Sequence, residues 1–550
     1  MKQRRIQVLG AVAALCAAFA VLVQLQPIGD PWWTNPDPNV AYVSAGVSLF
    51  GGRESRYFDH PGTPIEELVA AALTVDWAID PHGQSRSERA DALFRDFDST
   101  RPLFRTLAIG ISLLSVLVAF AVLLVLTGSA LLGLLAGVLF LASPDLLIYS
   151  ITLKPDIPLS ALCLAVVGIT VMGYRRRSAG IYLAAASLLG FALTIKLHAI
   201  ALVVPWALAV ALHPPVSGWA TGTVAAVRRF LRRHRRGATV AAATWLALVI
   251  LLNLGNATPD GRRTAELVAG LAAVSIAAAG VWLVGRRTRA AGIITIGAAA
   301  ALCGIAGALL PNLFFASTVP VMPRWVVLSL LGRGVNADAV PLSNSALSAL
   351  RPWLLVFILA ALGALRGLRR REGEPLIWAV GALCLGGLAA ARFGTPHYFQ
   401  PAVALSIPLL LSLVGRPTRW TLPVAAAVVA ALVFVPLRNG TKAGQDSALT
   451  RSASLQQWTR AHLGPHEGAI TPLATEEQAY AGFVLNYGTS PPPMDNRILP
   501  ADTSGLAYLK AHGLKLRYLV DPRGSADLKA LGLVNRFRPI EGLPGVFEYR

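Results

Sequence analysis

Long apolar runs dominate this chain, and short polar connections separate them. The first run, Ile6 to Leu25, follows a basic start at Met1 to Arg5. Further runs occupy 103–126, 130–147, 157–174, 179–195, 198–213, 238–254, 265–284, 290–311, 350–367, 376–391, 398–414 and 419–436. Each approaches the ~20 residues that carry a helix across ~30 Å of hydrocarbon, so about 13 spans are predicted. Ala18-Phe19-Ala20 has the look of a signal cleavage site, but the apolar run continues past it, which favours an uncleaved first span.

Two stretches break the pattern. Residues 27–100 form a long polar and aromatic connection, with a short helix predicted from Val40 to Phe50 and a rigid turn at His60-Pro61-Gly62-Thr63-Pro64. The tail, 440–550, mixes helix-like stretches (Leu455 to His462, Glu476 to Leu485, Ala507 to His512) with strand-like runs (Leu516 to Val520, Val546 to Tyr549). The predicted fold is therefore an all-α polytopic membrane protein with a small C-terminal α/β extracytoplasmic domain. Its units are 1–436 and 440–550.

Composition agrees with that reading. Of the 550 residues 55% are hydrophobic and 14% charged, against roughly 25% charged in soluble domains. The formal net charge of +20 raises the question of nucleic acid. The arginines answer it. Arg175 to Arg177, Arg228 to Arg236, Arg286 to Arg289, Arg366 to Arg371, and Arg416 with Arg419 fall in alternate connections. All lie on the side shared with Met1, as the positive-inside rule requires of a cytoplasmic face. The N-terminus is accordingly expected in the cytoplasm, in a bacterial inner membrane, with no nucleic-acid partner. The four cysteines lie far apart inside apolar runs and carry neither a disulfide framework nor a metal spacing.

Other ionisable groups gather on the opposite face. The first outer connection holds Asp37, Tyr42, Asp59 and His60. The second, SPDLLIYSITLKPDIPLS, holds Asp145, Lys154 and Asp156. Lys196 and His198 sit where two spans meet, Arg324 lies in the connection 312–348, and Arg392, His397 and Tyr398 lie at a later turn. Each residue has an ordinary reading: Asp37 and Asp156 as helix-start residues, His60 as part of a turn, Lys196 as an interfacial lysine, Arg392 as a basic span end. Their conjunction on one face points to a site, because charge at membrane depth is costly. A carboxylate there can take a proton from a hydroxyl, and lysine or arginine can hold a phosphate as it leaves. Two carboxylates sharing a divalent cation is the other chemistry open to these groups. No residue spacing requires a cofactor, and no metal ligand is assigned.

Several of these segments resemble the GT-C superfamily of polyprenyl-phosphate-sugar-dependent glycosyltransferases, in particular its protein O-mannosyltransferase and aminoarabinose-transferase, family 39-like, members. DPNVAY at Asp37 to Tyr42, leading to Gly51-Gly52, resembles the family's first acidic loop motif and juxtamembrane helix. FDHPGTP at Phe58 to Pro64, LKPDIPLSAL, LTIKLHAIALVVPWAL and RFGTPHYFQPAVALSIPLLL resemble its later segments in order. The resemblance covers nearly the whole chain through short motifs. It implies a sugar transferred from a polyprenyl-phosphate donor to an envelope glycan, lipid or protein hydroxyl, with inversion. It implies Asp37 as base, Asp156 as the second acid, and Lys196 and Arg392 toward the lipid phosphate. Asn39 stands where relatives carry a second acid, so Asp37 is the single carboxylate of that motif and Asp59 the alternative base. The substrate-binding set expected beside them is His60, Tyr42, Lys154, Lys196, His198, Arg324, Arg392, His397 and Tyr398. A lipid-linked glycan transporter and a non-catalytic assembly protein are the other classes compatible with a polytopic chain, although no internal repeat of the transporter kind is evident.

Overall fold

The computed structural model describes residues 2–24, 39–53, 63–81, 83–95, 101–143, 146, 149–212, 289–309, 354–392, 396–414, 454–471, 497–501, 503–521 and 536–550. The predicted spans 238–254, 265–284 and 419–436 lie outside these residues, as does the predicted helix Glu476 to Leu485. The described part is mostly helical, with a small sheet near the C-terminus, as the sequence pattern predicts.

The bundle is built from α1 (Lys2–Gln24), α5 (Arg101–Thr127), α6 (Ala130–Leu141), α7 (Asp156–Arg176), α8 (Ala179–Ile195) and α9 (Val203–Leu212). It continues with α10 (Arg289–Leu309), α11 (Leu354–Arg370), α12 (Gly373–Arg392) and α13 (Gln400–Val414). Among the described residues four helices are long and apolar enough to cross a membrane: Gln3–Gln24, Arg101–Thr127, Asp156–Arg176 and Gly373–Ala390. Five more apolar helices are shorter. The chain is a multi-pass helical membrane protein.

Two predicted spans are not uniform α-helices. In the run 130–147 the helix breaks after Leu141 and Leu146 is helical again, and the run 198–213 opens as a 3-10 segment, Leu197–Leu202, before α9. Hydropathy alone does not register these breaks, because Ala142 and Ser143, and the extended Lys196 ahead of the 3-10 segment, sit within or beside apolar sequence.

Side-chain bonds fix which helix ends lie together. Arg4 donates to the Gly128 carbonyl at 3.2 Å, joining the start of α1 to the end of α5. Arg175 donates to the Leu126 carbonyl and pairs with Glu374 at 2.6 Å, adding the end of α7 and the start of α12. These contacts make one arginine-bearing end of the bundle. The start of α7, the end of α8 and the turn after α12 lie at the opposite end.

Glycine sets the helix spacing. Lipid gives apolar helices no hydrophobic reason to associate, so close backbone contact must supply the attraction. A methyl group at Gly190 of α8 would overlap the Gly304 carbonyl of α10, and one at Gly307 would overlap the Ser187 carbonyl. By contrast, a Cβ at Gly110 in α5 would meet nothing within 4 Å. Gly190→Leu is expected to destabilise the protein by about 1–3 kcal/mol through forced helix separation. Gly110→Ala is expected to be neutral or to stabilise by up to about 1 kcal/mol, since helical glycine is entropically unfavourable. Thermal unfolding in detergent checks both.

Between α1 and α5 stand three shorter helices: α2 (Asn39–Phe50), α3 (Thr63–Ile79) and α4 (Arg86–Arg95). The predicted helix from Val40 to Phe50 is thus present, and it ends in a turn at Gly52, whose φ of 74° suits glycine. Gly46 lets α2 meet α3: a Cβ there would lie 2.5 Å from Val69 Cβ and 2.8 Å from the Glu66 carbonyl. Ser85 and Glu88 start α4 by bonding each other's backbone N–H, at 2.8 and 3.3 Å. These helices bury Tyr42, Val43, Val47, Phe50, Ile65, Val69 and Leu73 with Phe104 and Ala108 of α5. Leu153, from the connection before α7, joins the same cluster.

The C-terminal unit is α/β. Its sheet has the order β2-β1-β3-β5-β4, from β1 (Glu467–Thr471), β2 (Ile498–Pro500), β3 (Lys515–Val520), β4 (Phe537–Pro539) and β5 (Val546–Tyr549). β1 pairs in parallel with β2 and β3, while β5 is antiparallel to β3 and β4. Helix α14 (454–462) covers one face through Leu455 and Trp458. Helix α15 (Thr503–Ala511) covers the other through Leu506 and Leu509. Successive residues of β1 and β3 are buried on opposite faces, Ala469, Tyr518 and Val520 toward α14 and Ile470 and Leu519 toward α15, which makes the three-layer packing.

Candidate functional site

Asp156 opens α7, directly after Pro155, whose φ of −69° suits a helix start. It is 1% exposed. A carboxylate in a first helical turn faces the positive end of the helix dipole. Lys196 follows the last residue of α8. Its backbone is extended, at φ −157° and ψ 136°, while its N–H still bonds the Ala192 carbonyl at 3.1 Å. That break turns the chain from α8 into the 3-10 segment and aims the Lys196 side chain back across the helix ends.

The two side chains meet: Lys196 Nζ lies 2.6 Å from Asp156 Oδ1. The ammonium also sits 4.2 Å from the centroid of the Tyr398 ring. His198 meets the same ring edge-on, with centroids 5.7 Å apart and planes at 75°. Two residues before Asp156, Lys154 is buried, its Nζ 3.5 Å from the Tyr149 ring centroid. Gln400, at the start of α13, donates to Ser143 after α6. Segments far apart in sequence therefore converge at the end of the bundle away from the arginines. Leu153 ties this cluster to the short helices α2, α3 and α4.

Burial of an ion pair is energetically unhelpful in itself. Desolvation takes several kcal/mol per ion, and a hydrophobic replacement of similar shape is often as stable or more so. Within a largely apolar bundle, a buried lysine and histidine against one tyrosine ring, with a buried aspartate on the lysine, is thus a feature that stability alone does not call for. The arrangement presents a fixed ammonium, a fixed carboxylate, an imidazole and an aromatic face. Such a set can bind an anionic oxygen and orient hydroxyls.

Of the residues expected from sequence, the structure brings Asp156, Lys196, His198 and Tyr398 into contact and sets Lys154 two residues away. Tyr42 is fully buried in the hydrophobic cluster of the short helices, to which Leu153 also belongs. Arg392 ends α12 and His397 lies in the 3-10 turn Pro396–Phe399; their side chains fall outside the described residues. Asp37, Asp59, His60 and Arg324 also lie outside them. Sequence reasoning missed Tyr149, Gln400 and Ser143, which look like ordinary interfacial residues in a linear reading. It also passed over Glu66 and Glu67, which resemble routine acids in a first helical turn yet are both buried. Among the described residues, no three His, Cys, Asp or Glu side chains cluster closely enough to hold a metal ion.

No protein-family model matches the chain, and no curated protein sequence matches it significantly. Solved structures resemble it at low identity. The oligosaccharyltransferase of Archaeoglobus fulgidus in its apo form is 10% identical, over 95% of this chain and 71% of that one, with a TM-score of 0.43. The same enzyme in complex with zinc and sulfate is 12% identical, over 92% and 67%, with a TM-score of 0.39. ArnT from Cupriavidus metallidurans, bound to undecaprenyl phosphate, is 14% identical over 98% of both chains, with a TM-score of 0.25.

Proposed function

We propose that the chain is a membrane glycosyltransferase that moves a sugar from a polyprenyl-phosphate donor to an acceptor hydroxyl on the non-cytoplasmic side. The observation that carries this reading is the buried Asp156–Lys196 pair seated against Tyr398. A lipid phosphate is the activated donor that reaches a site at the end of a helical bundle from within the bilayer. Lys196 is the residue to receive its negative charge. Asp156 holds Lys196 in position, and His198 and Tyr398 line the space around the ammonium.

In this scheme the acceptor hydroxyl loses its proton to a carboxylate, Asp37 or alternatively Asp59. The acceptor oxygen then bonds to the anomeric carbon from the face opposite the phosphate. The bond from that carbon to the phosphate oxygen breaks, and the lipid phosphate leaves with both electrons, its charge met by Lys196. One proton is moved, one glycosidic bond replaces one phosphoester link, and the anomeric configuration inverts. The arginine pattern supports a site outside the cytoplasm, with the C-terminal unit on the same side.

The test is to incubate the purified full-length protein with a panel of polyprenyl-phosphate sugars and a membrane-envelope extract as acceptor. Release of free polyprenyl phosphate together with sugar transfer is expected for one donor class. No release from any donor, by protein whose fold is intact, ends the reading. His198→Ala is expected to reduce the rate about tenfold to a hundredfold without lowering protein yield, by loosening the packing of Tyr398 against Lys196. Steady-state release of lipid phosphate measures it.

A further inference from the structure

Two buried polar atoms in the segments that form the ion-pair cluster stand outside the proposed chemistry. They are Gln400 Oε1 and Ser150 Oγ, and neither has a hydrogen-bond partner among the described residues. Both residues are 0% exposed. Gln400 opens α13, which packs against α6, α7 and α12 and so encloses its first residue. The Gln400 amide nitrogen donates to Ser143 Oγ. Ser143 and Ser150 belong to the connection 142–155 between α6 and α7, which also carries Tyr149 and Lys154 and leads into Asp156.

The two ends of an amide have the same shape, so the Gln400 group fits its place either way round. Turned over, its oxygen accepts from Ser143 and its nitrogen is the end left over. In both settings Ser143 serves one end, and among the described residues no group serves the other. A ligand hydroxyl answers both, because it donates and accepts. A buried polar group without a partner lowers stability, and an apolar side chain of the same length would open α13 without that cost. A glutamine here is therefore not explained by folding. Its place suggests what it meets. Gln400 follows Tyr398 by two residues, so their backbones lie no more than about 7 Å apart. The Tyr398 ring sits on the Lys196 ammonium, and Ser150 directly follows Tyr149, whose ring carries the Lys154 ammonium. A sugar joined to a phosphate at Lys196 spans a comparable distance.

We propose that Gln400 and Ser150 bind the hydroxyls of the donor sugar, and that they decide which sugars the site accepts. The proposal rests on the donor reading above, in which Lys196 receives the lipid phosphate. The ligand class is a sugar with free hydroxyls, attached to that phosphate. A site made to bond a hydroxyl rejects an analogue without it strongly, since the site's own buried groups then stay unpaired. Sugar recognition is thereby separate from phosphate recognition: the amide and the serine serve the first, the ammonium the second.

Equilibrium binding to the purified full-length protein in detergent tests this, with bare polyprenyl phosphate and a panel of polyprenyl-phosphate hexoses and pentoses as probes and no acceptor present. Gln400→Met keeps the side-chain length and removes the amide. For the tightest sugar-bearing probe its Kd is expected to rise about tenfold, while bare polyprenyl phosphate keeps its wild-type affinity. The variant is expected to melt no lower than wild type, since it carries one unmet buried group fewer. Unchanged affinity for both probes makes the amide a seat for buried water and overturns the proposal. A lower melting temperature with both affinities reduced alike makes Gln400 structural and overturns it too. Should Gln400→Met fail to fold, Ser150→Ala decides: a loss of about threefold to tenfold, confined to the sugar-bearing probe, is expected, and no such loss overturns the proposal. Wild-type protein that binds neither kind of lipid phosphate ends the donor reading itself, and this proposal with it.

Discussion

Lys196→Met alone is expected to destabilise the bundle by about 3–5 kcal/mol, because it takes the ammonium from a carboxylate that is 1% exposed. Adding Asp156→Leu to that variant is expected to recover most or all of the loss, since apolar residues of similar size replace a buried ion pair at little or no net cost. The two stability effects therefore do not add, and the coupling between them reports the contact seen at 2.6 Å. Thermal unfolding of the single and double variants in the same detergent measures it. Activity is expected to part company with stability. The folded double variant should release lipid phosphate about 10²–10³-fold more slowly than wild type, the scale of losing one electrostatic group aimed at a departing anion. Full transfer by the double variant would reduce the pair to a packing feature. Lys196→Arg is a sharper probe still. The guanidinium keeps the charge, but its planar fork does not fit the place of an ammonium held between one carboxylate oxygen and the Tyr398 face. It is expected to fold and to lose activity.

The second large effect is expected at Asp37. Two readings compete for this residue, a helix-start cap ahead of α2 and a proton acceptor, and Asp37→Asn separates them. Asparagine caps a helix about as well as aspartate, so the substitution leaves the local structure intact. It removes the charge that takes a proton. If Asp37 is the base, the rate of transfer falls about 10²–10⁴-fold while yield and thermal stability hold. If Asp37 is a cap only, the rate is unchanged and Asp37→Ala costs about 0.5–2 kcal/mol of stability instead. Should Asp37→Asn retain activity while Asp59→Asn loses it, the role of base moves to Asp59. Rates measured with one donor and a fixed acceptor, on protein matched for fold, decide among these outcomes.

Much of the molecule was legible in its linear pattern. The apolar runs announce α1, α5, α7 and α12, since hydrocarbon thickness sets a helix length that a sequence window can see. The helix α2 was visible from the Asp37-Pro38 start ahead of it, its Gly51-Gly52 end from the family resemblance, and β3, β5 and α15 of the C-terminal unit from their local periodicity. The strands β1, β2 and β4 were not, because three to five residues amid mixed polarity give no clear period. Within the run 130–147 the helix breaks after Leu141 without the sequence ceasing to be apolar, whereas the run 198–213 matches the apolar helix Leu197–Leu212.

Local sequence was enough to establish that the chain crosses a membrane many times, which helix ends carry arginine, and which residue types collect away from them. Those are properties of composition along a short window and of a helical rise that never changes. Only folding brings Asp156 to Lys196 across 40 positions, sets the Tyr398 ring against that lysine, and joins Leu153 of this cluster to α2 and α3. Only folding buries Glu66 and Glu67 and turns Arg86 toward Thr74. Helix neighbours are chosen by close contact at small residues such as Gly46 and Gly190, and complementarity between two distant surfaces leaves no periodic trace in either one.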